Sequence, residues 1–196
     1  MPGAGHFEAI EAAEGADPAL LTEAAERAAT ALVRGARDQA DEALVSRVVH
    51  LADTEGLETL AELWSGAAPH SLAGTLWRLY LLRSWVHADP ETAAREYDLG
   101  RRIAPVAEAI SGVEEPPGPD EVRALVDAVL TGVVVGDFAD TLFRASAFAR
   151  VAAAGRAQAE ATGGSSYHSD LAASRLLSLA DQLHEAARLE LDGHLA

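Results

Sequence analysis

Lysine, cysteine and asparagine are all absent from the 196 residues of this chain, and the fifteen basic side chains are all arginine. Without lysine there can be no Schiff-base chemistry, no Walker-A phosphate loop and no Ser–Lys hydrolase. Without cysteine there is no thiol nucleophile, no thiolate metal site and no disulfide. Cations are outnumbered as well: 31 acidic residues leave a net charge of −16. A sequence-independent grip on nucleic acid or anionic lipid requires clustered cations, so neither is an expected partner. No run approaches the roughly 20 apolar residues of a membrane span. Residues 1–17 carry acids but no basic or apolar block of a secretory leader, and they read as a flexible acidic N-terminus. The expectation is a soluble, cytoplasmic protein.

Alanine fills 43 positions, so the bulk of a core must come from 25 Leu, 14 Val and ten aromatic residues. At this length one domain is expected, burying about 70% of the surface of the unfolded chain. Charge is uneven along it. Residues 1–62 carry a net −9, residues 105–196 a net −8, and residues 63–104 a net +1. That middle third also holds Trp64, Trp77, Trp85, Tyr80 and Tyr97.

Helix signals run throughout. Asp17-Pro18 and Asp89-Pro90 each pair an N-cap carboxylate with proline at the first helical position, where its missing N–H costs nothing. The first helix follows Pro18, with Leu21, Ala24, Ala28 and Leu32 on its inner side. Further helices are expected over 36–53, over Leu57–Trp64 and over 71–87, the last apolar nearly all round and read as a buried central helix. A helix over 90–110 contains Pro105, which should kink or break it. The segment 114–119 is a Pro-rich loop. Stripes at helical spacing follow over 122–133 and from Phe138 to Ala152, the latter capped by Asp137, and a last amphipathic helix is expected over 169–191. Only Val133–Val135 has strand character. The reading is all-α: a single-domain bundle of about seven helices over 18–196.

Arg83 is the most informative polar residue. On a helical wheel it falls among Leu72, Leu76, Leu79 and Val86, where a guanidinium needs a carboxylate or a ring of carbonyls. It is either an anchor for an anionic ligand, a structural ion pair or a side chain that snorkels out. Arg78, beside Trp85 on the opposite arc, has the same alternatives. Trp77, Leu81 and Trp85 form a second apolar stripe, which is either core or an interface, since Trp and Arg are enriched in interface centres. Arg95, Arg101 and Arg102 make a small basic cluster that neighbouring acids such as Glu91 and Asp98 can satisfy. The His50/Asp53 and Asp181/His184 pairs fall short of a di-iron pattern, which needs Glu-x-x-His motifs that this sequence lacks. Ser165, Ser166, His168 and Asp170 contain the parts of a hydrolytic triad, but adjacency along one loop is poor geometry for it, and capping by Ser169 explains the run.

These features predict a protein that acts by binding rather than catalysis, without metal or cofactor. Protein–protein association through the Trp/Arg-rich middle segment is expected, with a homodimer as the simplest form and Arg83, Arg78, Trp77, Trp85, Tyr80, Arg101 and Arg102 as ligand or interface residues. The alternative is a pocket between helices in which Arg83 or Arg78 holds a small anionic ligand. A weaker one is an enzyme that uses a metal or His and carboxylate groups.

Overall fold

The computed structural model describes residues 18–34, 57–103, 120, 123, 137–162 and 172–196. Among them are six α-helices and no strand: α1 Pro18–Arg34, α2 Leu57–Trp64, α3 Leu72–Ala88, α4 Pro90–Ile103, α5 Phe138–Ala161 and α6 Ala173–Leu191. The chain is therefore all-α, as its periodicity requires. The helices expected over 36–53 and 122–133, the Pro-rich loop, the Val133–Val135 run, Pro105 and the 165–170 segment lie outside the described residues.

Local cap chemistry sets several helix ends. Ser71, in an extended conformation (φ −97°, ψ 163°), accepts the Gly74 N–H at 3.2 Å and starts α3. Asp89 accepts the Thr92 N–H at 3.0 Å, so a single residue separates α3 from α4. Asp137 accepts the Asp140 N–H at 3.1 Å and starts α5. These carboxylate and hydroxyl acceptors satisfy donors that a helix leaves unpaired in its first turn. The last helix differs from its expected start. It begins at Ala173 rather than near Ser169, and its N-cap Ala172 offers no side-chain acceptor. Packing of Leu176, Leu179, Ala180 and Leu183 into the core holds it instead.

α5 lies between α4 and α6 and packs against each. α3 packs against α1, α2, α4 and α6, with nine residues buried, which makes it a second hub. The α4–α5 crossing is unusually close. A Cβ on Gly100 would stand 1.8 Å from the Val151 carbonyl oxygen, and one on Gly155 would stand 1.7 Å from that of Glu96. Only glycine lets two helix backbones meet in this way. On α1 the buried residues are Ala25, Ala29, Ala31 and Val33, while Leu21 is 44% exposed. The inner face is thus rotated by about one residue from the leucine-based expectation. Small alanines let α1 come near α2, and the Trp64 indole Nε1 donates to the Ala25 carbonyl at 3.2 Å.

The segment after α6 folds back onto the bundle. Gly193 (φ +70°) reverses the chain, the His194 N–H bonds to the Leu189 carbonyl at 2.8 Å, and Leu195 enters the core. Arg34 forks onto the Glu190 carboxylate and also donates to the Leu195 carbonyl at 3.2 Å. The Leu72 N–H donates to the Ala196 carbonyl at 2.9 Å, which joins this segment to the first turn of α3.

Candidate functional site

The most concentrated chemistry among the described residues sits where α3, α4 and α5 meet. Arg156 is 0% exposed and Glu96 is 3% exposed. The guanidinium grips the carboxylate through two parallel bonds, Nε to Oε1 at 2.9 Å and Nη2 to Oε2 at 2.7 Å. Trp85 completes the arrangement: the Arg156 guanidinium carbon lies 4.9 Å from its ring centroid, within cation–π range. Trp85 also tilts against Phe148 (6.4 Å), and Phe148 stacks on Tyr97 (5.0 Å). The Gly100–Gly155 approach makes the pair possible, because two touching backbones bring Glu96, one turn before Gly100, within reach of Arg156, the residue after Gly155.

A desolvated pair of this kind is a structural clamp more readily than a reactive group. Each charge is neutralised by the other, and neither is open to substrate. Tyr97 sits beside it, fully buried, with a hydroxyl that has no hydrogen-bond partner. Burial pushes the Tyr97 hydroxyl above its ordinary value of 10.0, and the Arg101 charge opposes that shift in part.

The residues singled out in the sequence fall into three places. Trp85 is in the core beneath Arg156. Trp77 and Tyr80 are half-buried on another side of α3, stacked at 5.5 Å with 19° between their planes. The Trp77–Leu81–Trp85 stripe is therefore divided, its last member inside and its first two at the boundary. Arg83 is half-buried and engaged within the protein. Arg78 donates Nη1 to the Gly74 carbonyl at 2.6 Å and Nε to the Gln182 side-chain oxygen of α6. Burial lowers its pKa from the ordinary arginine value. By contrast, the hydrogen bonds that Arg34 donates to Glu190 raise its pKa, against the effect of burial.

The basic cluster on α4 is held by neighbouring groups. Arg102 reaches Asp98 at 2.7 Å, Arg101 lies 3.7 Å from the same carboxylate, and Arg95 donates to the Thr92 hydroxyl at 2.6 Å. Asp181 is paired with Arg150 at 2.8 Å, and His184 packs its ring edge-on against Phe143 at 5.2 Å. Among the described residues, no group of three His, Asp or Glu side chains is placed to hold a metal ion. A cleft of about 360 Å³ opens between α1 and α2, lined by Leu21, Thr22, Ala25, Glu62, Leu63 and Gly66 among others, and it gathers one carboxylate but no cation. No helix among the described residues is long and apolar enough to cross a membrane.

Sequence reasoning singled out Trp85 but missed Glu96, Arg156 and Gln182. The signal for Arg156 was available: at helical spacing it shares an arc with Ala145, Ala149 and Ala152, the same criterion that drew attention to Arg83. Compared with models of known families, with curated proteins and with solved structures, the chain has no match.

Proposed function

We propose that the protein works by association rather than catalysis, through the outer side of α3, and that its simplest partner is a second copy of itself. The observation that carries this reading is the Trp77–Tyr80 stack, two large rings left partly exposed at the edge of the core on a helix with nine buried residues. Stacked rings are rigid and amphipathic, so they present contact area at low entropic cost, which is why such residues dominate interface centres. The α3 surface also supplies Leu81 and Arg83 at the boundary, an apolar and a forked cationic group beside the rings. The described charges support a binding role: Glu96, Asp98, Asp181 and Glu190 are each engaged by arginine.

Light scattering across a micromolar concentration series tests the proposal. The wild type should weigh as a dimer, and Trp77→Ala and Tyr80→Ala should shift it to monomer while circular dichroism keeps its helical signal. A wild-type monomer throughout the series, or a dimer unaffected by both substitutions, refutes it.

A further inference from the structure

Arg78 contrasts with Arg156 and Arg34, whose guanidinium groups are neutralised by the carboxylates of Glu96 and Glu190. Arg78 is half-buried between α3 and α6, yet the acceptors it meets are neutral: a backbone carbonyl and an amide oxygen. Among the described residues no carboxylate lies within ion-pair distance of it. Taking a guanidinium part-way out of water without a counter-ion is unfavourable, and burial depresses its proton affinity accordingly.

Its geometry is nonetheless fixed. The Gly74 carbonyl holds Nη1 and Gln182 holds Nε, so the planar fork cannot swing freely. Two of its five N–H donors are used in this way, and Nη2 keeps both of its own. Gln182 accepts through its oxygen, which leaves its amide NH2 to donate beside the guanidinium. The result is a pre-set group of donors carrying one positive charge.

We propose that Arg78 and Gln182 form a receiving site for the carboxylate of a small organic monoacid at the seam of α3 and α6. One fixed cation matches one negative charge, and in a chain of net −16 a doubly charged phosphate gains less and is repelled more. With Nε given to Gln182, the carboxylate is taken end-on across Nη1 and Nη2, which keep one and two N–H donors, rather than along the Nε–Nη2 edge that Arg156 uses on Glu96. This site is independent of the association through Trp77 and Tyr80.

The test follows the Nε–Hε resonance of Arg78 by NMR while acetate, benzoate or inorganic phosphate is titrated at constant ionic strength, with chloride as the balancing anion. Acetate and benzoate at millimolar concentration should shift the Arg78 signal and leave that of the exposed Arg95 in place. Arg78→Lys, which keeps the charge but loses the fork, should weaken binding roughly tenfold or more when followed through the Gln182 side-chain amide resonance. Gln182→Leu, measured by the same Arg78 resonance, should weaken it less. The proposal is overturned if the Arg78 signal ignores both carboxylates or if phosphate binds more tightly than either. It is equally overturned if the signal moves with protein concentration alone, since a carboxylate of a second copy would then occupy the fork.

Discussion

The buried Glu96–Arg156 pair makes a quantitative demand on stability. Both side chains are almost wholly removed from water, so deleting one strands the other as an uncompensated charge. Breaking a buried pair in this way costs about 3–5 kcal/mol. That is a large share of the roughly 5–15 kcal/mol that holds a domain folded. Arg156→Met and Glu96→Leu should each lower the melting temperature by roughly 6–20 °C, at about 2–4 °C per kcal/mol for a chain of this size. The double variant replaces two charges by apolar groups of similar volume and should recover most of that loss, short of the Trp85 cation–π contact worth ~1 kcal/mol. Urea unfolding followed by circular dichroism measures all three variants. If each single change costs under about 1 kcal/mol, or if the two costs simply add in the double variant, the pair does not hold desolvated charge and the reasoning fails.

Three further predictions test other parts of the fold. Gly100→Ala and Gly155→Ala should each destabilise by about 2 kcal/mol or more despite the better helix propensity of alanine, because the new Cβ meets backbone below 2 Å. Gly66→Ala, where nothing lies within 4 Å, should be near neutral when all three glycine variants are compared by urea unfolding. Tyr97→Phe should stabilise the protein by about 1 kcal/mol, since it removes a buried hydroxyl without a partner. The wild-type Tyr97 contribution is fully present below its ordinary value of 10.0 and is lost as pH rises through the higher folded value, so the variant should show the shallower alkaline decline. Leu195→Ala should cost about 2–3 kcal/mol and raise amide exchange at Leu72, whose N–H is held by the Ala196 carbonyl; unchanged exchange there would show that the returning segment does not brace α3.

Much of the fold is legible in the sequence because its signals are local. The expected Leu57–Trp64 helix appears with those bounds, and Asp89 and Asp137 cap as their chemistry suggests. The misreadings share a cause. Alanine carries little apolar contrast, so the expected inner side of α1 lies about one residue off its buried face: Ala28 and Leu32 pack at the edge of the core, while Leu21 and Ala24 stay exposed. The same weakness ended the Phe138 stripe at Ala152, whereas α5 continues to Ala161 through a run rich in alanine, the best helix former. The clamp was hidden differently. Arg156 and Glu96 are 60 residues apart, and nothing local to either names the other. What joins them is the glycine-to-glycine crossing, a tertiary fact that two isolated glycines within helical patterns do not reveal.

The seam around α5 has a thermal consequence. Ala145, Ala149, Ala152 and Ala153 of α5 face neighbours that include Ala93 and Ala94 on α4 and Ala180, Ala186 and Ala187 on α6, all buried. Each such residue is ordered without losing rotamers, yet it withdraws little hydrocarbon from water. The heat-capacity increment of unfolding scales with that hydrocarbon, so it should fall below the usual 12–15 cal/mol/K per residue. A smaller increment flattens the curve of stability against temperature. Such a bundle resists cooling as well as warming, from a maximum that a leucine-rich core of the same length would exceed.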